Sequence, residues 1–145
     1  LVNGSNNASY QVLDLSSLGS LVPGEYLVVG QAGALAQVLG GTKTLLLPVV
    51  SGGTVQNGAP DGIALVDTIN ATLIDALSYE GSMTAVTITG VAGTFNLVEG
   101  TATSAADATP FTNSMIRFPN GSDSNDASAD WWLSALPSPG ALNTP

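Results

Sequence analysis

The chain has 145 residues and is strongly acidic: eleven Asp and Glu stand against two cations, Lys43 and Arg117, for a formal net charge of −9, with no Cys and no His. That balance excludes direct nucleic-acid binding and attraction to anionic lipid, both of which need several Lys or Arg contacts. The missing Cys and His exclude disulfides, thiolate metal sites and catalysis built on a thiol or imidazole.

The length fits one domain, residues 1–145, with one modest core. Many Gly and Pro residues and no long helical period point to an all-β chain of short strands. Tyr10–Leu15 and Glu25–Val29 read as strands around the turn Leu21-Val22-Pro23-Gly24. Tyr26-Leu27-Val28-Val29 is apolar on both faces, as in a central strand covered on each side. Ala34–Leu39 reads as an irregular loop, Lys43–Leu47 as a strand stopped by Pro48, and Ser51-Gly52-Gly53 as loop. Gly62–Val66 and Leu73–Tyr79 form a hairpin, preceded by Asn57-Gly58 and Pro60-Asp61-Gly62, which supply turn geometry.

Thr84–Thr89 alternates, with Val86 and Ile88 inward and Thr87 and Thr89 outward. Phe95 and Leu97 continue the inward face. Thr101–Thr112 reads as an extended loop and Asn113–Phe118 as a strand with Ile116 and Phe118 on one face. The tail Pro137–Pro145 is too rich in proline for a central strand. One core is expected from Leu27, Val29, Ile63, Leu65, Leu77, Val86, Ile88, Ile116 and Phe118.

Chemistry has little to work with. Lys43 is a lone amine, and no Gly-x-Ser-x-Gly elbow or neighbouring base activates a hydroxyl. Asp75 and Glu80 are close in sequence and are the kind of carboxylate pair that acid–base chemistry could use, but with no nucleophile–base combination beside them the chain is expected not to be an enzyme. Asp123, Asn125, Asp126 and Asp130 place hard oxygen donors in one loop, at a density that suits a weak Ca²⁺ site. The loop lacks EF-hand spacing, and Asx residues this dense also form ordinary solvated turns, which is the favoured reading. No other cofactor is expected. Trp131-Trp132 lie on adjacent strand positions, so their rings face opposite ways and at least one packs in the core. Asn3, Asn7, Asn70 and Asn120 each open an N-x-S/T sequon in a turn or loop, and are candidate glycosylation sites.

Gln56–Gly81, reading QNGAPDGIALVDTINATLIDALSYEG, together with Ser114-Met115-Ile116-Arg117, the acidic loop, Trp131-Trp132 and the closing Ser138-Pro139-Gly140-Ala141-Leu142-Asn143, resembles the lamin tail domain of secreted and cell-surface proteins of bacteria and archaea. The resemblance spans essentially the whole chain and implies an immunoglobulin-like β-sandwich used for binding or scaffolding. It places Arg117 at the arginine of the family's S-L-x-R strand, implying a structural ion pair with a carboxylate on a neighbouring strand; ligand anchoring is the second reading. Family members open with strands of the types I-N-E-V and E-F-I-E-L that have no counterpart before Leu1. The sandwich is therefore expected to be completed by a strand from another segment or chain: an upstream segment of the same precursor, or a second copy.

The leading functional reading is a non-catalytic extracellular or cell-surface structural and interaction module, suited to a repeating subunit of a fibrous assembly. Scarce Lys and Arg leave trypsin-like proteases little to cut, in keeping with an exposed life. The alternatives are an accessory domain of a secreted nuclease or phosphatase, and a Ca²⁺-dependent carbohydrate-binding module. No apolar run approaches the roughly 20 residues of a membrane span, so no membrane insertion is expected.

Overall fold

The dominant pairing grows out of one turn. Asp67 Oδ1 accepts hydrogen bonds from the Ile69 and Asn70 amides, at 2.9 and 3.2 Å, and Oδ2 accepts from Asn70 Nδ2 at 2.6 Å. This short polar side chain stands in for backbone pairing across the bend. It joins β5 (Asp61–Asp67) to β6 (Thr72–Tyr79) in an antiparallel ribbon running from Asp61↔Tyr79 to Asp67↔Thr72, with a bulge between Leu65 and Val66.

The computed structural model describes residues 1–51, 53–106 and 112–145. It is rich in strand and poor in helix. The ribbon belongs to a sheet of order β2-β1-β5-β6, in which β1 is Val2–Asn3 and β2 is Ala8–Ser9. β3 (Leu27–Gly30) and β4 (Lys43–Leu46) pair in parallel, joined through the short helix α1 (Ala32–Leu35). β7 (Ser114–Arg117) and β8 (Trp131–Ser134) pair antiparallel, and the one-turn helix α2 (Ala127–Asp130) leads into β8.

The core sits on one face of the ribbon. Cross-strand pairs there are small, Gly62↔Ser78 and Ala64↔Ala76, so another layer can approach closely. Residues 83–97 form that layer. Val86 and Phe95 exchange both backbone hydrogen bonds at 2.9 Å, and Leu97 donates to the Met83 carbonyl at 2.9 Å. Ser78 Oγ donates to the Gly81 carbonyl and accepts from the Met83 amide, fixing the entry of the segment. Val2, Ala76, Met83, Val86, Ile88, Phe95 and Leu97 make one buried cluster, against which Ala64, Val66, Leu73 and Val91 pack.

Several expectations change. Leu77, Val86, Ile88 and Ile116 are buried, and Leu27 and Phe118 are half-buried, but Val29, Ile63 and Leu65 are exposed by 38%, 46% and 43%. Val29 belongs to a two-stranded pair rather than to the middle of a wider sheet, so it lacks a covering layer. Ile63 and Leu65 point away from the small-residue face, on which the core is built. Within Ala34–Leu39 the loop expected is partly helical, because α1 includes Ala34 and Leu35 and the Val38 amide continues the turn onto the Leu35 carbonyl. Tyr10–Leu15 is not a strand: it has strand composition but no ladder partner. Thr84–Thr89 keeps its expected alternation of burial yet forms only bridges, at Val86 and Thr87. Part of the Thr101–Thr112 loop, and Gly52, lie outside the described residues.

Candidate functional site: an arginine hub and an open strand edge

Arg117 ends β7 and gathers carboxylates from three places. Its Nη2 lies 2.7 Å from Asp75 Oδ1 on β6 and 3.1 Å from Glu99 Oε2, and its Nη1 lies 3.3 Å from Asp123 Oδ2 in the acidic loop. The guanidinium also stacks over the Trp131 ring, 5.3 Å from its centroid. Burial alone would lower the arginine's pKa, but Asp75, Asp123 and Glu99 together hold it above its ordinary value. Burial, and then the adjoining Asp75 carboxylate, push Glu99 above the usual glutamate range. One guanidinium facing three carboxylates leaves the hub net negative. Its chemistry is that of a clamp: it ties β6, the segment at Glu99 and β7 into one unit.

The acidic loop is organised by its own backbone. Asp123 Oδ1 accepts from the Asn125 amide at 3.0 Å, and Asn125 itself holds φ at 57°. Asp126 caps α2, accepting from the Ser128 amide and hydroxyl, and the hydroxyl bond chiefly holds its carboxyl below the usual range. Asp130 is buried and accepts from the Ser124 amide at 2.7 Å, which lowers its pKa, and from the Ser124 hydroxyl. Asp123, Asn125, Asp126 and Asp130 thus share a loop, but the three carboxylates turn to different partners. Among the described residues no group of three carboxylates converges as a metal cage. Backbone bonds from the Ala127 amide to the Glu99 carbonyl and from the Ser128 amide to the Thr101 carbonyl fasten the loop to the hub.

The adjacent tryptophans separate as their alternation requires. Trp131 lies under Arg117, while Trp132 is half exposed, meets Phe118 edge-on at 5.9 Å and donates Nε1–H to the Ala129 carbonyl. Of the sequon asparagines, Asn3 bonds Gln56 Oε1, Asn70 bonds Asp67, and Asn120 bonds Tyr26 and Asn143. Asn7 is exposed, in the turn between β1 and β2.

The second feature is an open strand edge; an incomplete sandwich is among the expectations, but its place beside β5 is not. β1 lies between β2 and β5, but its pairing with β5 covers only Val2↔Gly62 and Asn3↔Asp61. Beyond that point β5 runs on to Asp67 and the chain after β2 runs on through Leu15, with no described strand between them. The gap is a cavity of about 1040 Å³. Ile63, Leu65 and Val12 line it, with Ile88 and Val91 from the core layer and Leu47, which follows β4. The sequence held one signal for it: apolar residues in strand pattern that the core does not use.

No family model, curated protein or solved structure matches this chain.

Proposed function

We propose that the chain is a non-catalytic structural and interaction module of an extracellular or cell-surface protein, an immunoglobulin-like sandwich of the lamin-tail type that takes part of its sheet from another polypeptide segment. The observation that carries the proposal is the edge of β5 beyond Gly62, which has no strand partner among the described residues, beside exposed Ile63 and Leu65. A sheet edge of this kind accepts an added strand, with backbone hydrogen bonds giving affinity and alternate side chains giving specificity. The hub supports the same reading. Its ionised groups bond one another and backbone amides, which suits holding a shape more than turning over a substrate.

The carbohydrate-binding alternative has exposed Trp132 in its favour, but the oxygen donors it needs are engaged by the loop's own amides and by Arg117. The test is turnover by the purified chain on phosphodiester, ester and glycoside substrates, with and without Ca²⁺. No turnover is expected. Turnover abolished by one substitution in this chain would overturn the non-catalytic reading.

A further inference from the structure

We infer that Asn57-Gly58 is a site of spontaneous self-modification, at which the Gly58 amide nitrogen closes on the Asn57 side chain and converts the asparagine to aspartate and isoaspartate. The reaction needs only this chain and water.

The chain holds three Asn-Gly dipeptides, Asn3-Gly4, Asn57-Gly58 and Asn120-Gly121. Glycine after asparagine leaves the attacking nitrogen unscreened by a β-carbon and its backbone free to turn. The nitrogen must then meet the asparagine Cγ, so the asparagine side chain has to swing. The fold holds two of the three in place. Asn3 Nδ2 donates to Gln56 Oε1, its Oδ1 accepts from the Ser5 amide at 2.7 Å, and the Gly4 amide is committed to the Pro60 carbonyl. Asn120 Nδ2 donates to the Tyr26 hydroxyl at 3.1 Å, and its Oδ1 accepts from the Asn143 amide at 3.0 Å. Each would give up both of its side-chain hydrogen bonds to react. Asn57 is exposed, and its side chain has no hydrogen-bond partner among the described residues.

The nucleophile at the third site also has a base beside it. The Gly58 amide donates to Asp61 Oδ2 at 2.9 Å. Asp61 is buried at the start of β5, opposite Tyr79, so the sheet fixes where its carboxylate stands. A carboxylate at hydrogen-bond distance from the proton it removes is a general base in position. Asp61 takes the Gly58 proton as the nitrogen adds to Asn57 Cγ. The new C–N bond forms, the Cγ–Nδ2 bond breaks, and Nδ2 leaves as ammonia with that proton. Water then opens the succinimide at either carbonyl, giving aspartate or isoaspartate. Nothing is oxidised or reduced.

The product places a second carboxylate in the turn that Asp61 closes. Isoaspartate also lengthens the main chain by one carbon and draws the Gly58 amide off Asp61. The turn is tied to its surroundings by the Asn3–Gln56 bond and by the Tyr10 hydroxyl, which accepts from the Gln56 amide at 3.1 Å. The change is therefore felt where β1 meets β5. Because the step runs one way, it records the age of the folded chain.

The test incubates the full chain at neutral pH and follows each asparagine by peptide mapping with mass spectrometry, which reads the exchange of NH₂ for OH. In the fold, Asn57 is expected to convert faster than Asn3 or Asn120 by about tenfold or more. In urea, which frees all three, the rates are expected to converge. Asn57 itself is expected to react about tenfold or more slowly there than in the fold, because Asp61 no longer stands at its neighbour's nitrogen. Gly58→Ala puts a methyl where nothing lies within 4 Å, so it is expected to keep the denaturation midpoint and slow conversion several-fold. Asp61→Asn, which keeps an acceptor for the Gly58 amide, is expected to slow conversion by about tenfold or more. The comparison with urea reads the base even where Asp61→Asn does not fold. Conversion of Asn3 or Asn120 as fast as Asn57 in the fold would overturn the inference. So would an Asn57 rate no higher in the fold than in urea, or one indifferent to Gly58→Ala or to a folded Asp61→Asn.

Discussion

The two margins of the β5–β6 ribbon are finished in opposite ways. Along β6 the chain supplies its own partners: Arg117 meets Asp75, and Glu99 reaches the Ala76 amide at 3.4 Å. Along the other edge of β5 the pairing with β1 covers only Asp61 and Gly62 among the described residues, and apolar residues beyond it face a cavity. Side chains that arrive from far along the sequence can close an edge when it presents charge. An edge that presents only backbone groups and apolar surface needs another backbone. The first margin is therefore expected to answer to substitutions in stability, the second in binding.

The largest effect is expected where the ribbon meets its core layer. Leu97 is fully buried against Gly62, and Leu97→Ala is expected to cost about 2–5 kcal/mol, as truncation of a large buried side chain usually does. Gly62→Ala tests the same contact from the other side. A Cβ there would stand 2.8 Å from Leu97 Cδ1 and 3.3 Å from the Leu77 carbonyl oxygen. Overpacking of this sort costs about 1–3 kcal/mol. Both are read by urea denaturation. Values below about 0.5 kcal/mol for both would mean that the small-residue face does not organise the core.

Arg117→Met sharpens the contrast further. It keeps much of the side chain's volume while leaving Asp75, Glu99 and Asp123 without their cation. Breaking a fully buried pair costs about 3–5 kcal/mol, but Asp75 and Asp123 are some 40% exposed and partly solvated, so about 2 kcal/mol is expected. A double-mutant cycle with Asp75→Asn is expected to show coupling. Strict additivity would make the hub a collection of surface contacts.

What the sequence disclosed follows from where each structural cause resides. The β5–β6 ribbon was legible because its two apolar runs, Gly62–Val66 and Leu73–Tyr79, lie close together around a short polar turn. The burial of Val86 and Ile88 was legible because alternation is local. Glu99 was not, since it reaches Arg117 from an irregular segment 18 positions away whose pattern announces nothing. The exposure of Val29, Ile63 and Leu65 was equally hidden: an apolar residue in strand pattern reads the same whether it faces a core or an unfilled slot. Tyr10–Leu15 makes the point in reverse. Its composition is that of a strand, but a strand is a relation between two segments, and no ladder partner for it occurs among the described residues.

The hub also sets a pH dependence with a definite sign. Glu99 titrates above its ordinary value in the fold, so its contribution to stability is present below the unfolded value of about 4.5 and is lost as pH rises through the folded one. Asp126 and Asp130 are held low by the loop's hydrogen bonds, so their contribution is present above about 3.8 and is lost as pH falls through their folded values. Stability is expected to peak in the mildly acid range. Glu99→Gln, which keeps an acceptor for the Ala76 amide, is expected to flatten the alkaline limb of that curve and leave the acid limb in place. Denaturation midpoints measured from pH 3 to 8 decide it; an unchanged alkaline limb would place the cause elsewhere.

The smallest expected effect on stability carries the most information about the open margin. Ile63→Thr keeps a β-branched side chain suited to a strand and exchanges apolar surface for a hydroxyl at a position already 46% exposed. In the unoccupied chain the hydroxyl keeps its water, so the change in unfolding free energy is expected to stay within about 0.5 kcal/mol. In the chain occupied by a strand the same hydroxyl would be covered beside an apolar neighbour without a hydrogen-bond partner, at a cost of about 1–3 kcal/mol. Binding of a peptide segment at this edge is therefore expected to weaken by about tenfold or more while the denaturation curve hardly moves. A loss of stability as large as that of Leu97→Ala, or peptide affinity untouched by the substitution, would show that Ile63 belongs to the closed part of the molecule and that the two margins of the ribbon do not differ in kind.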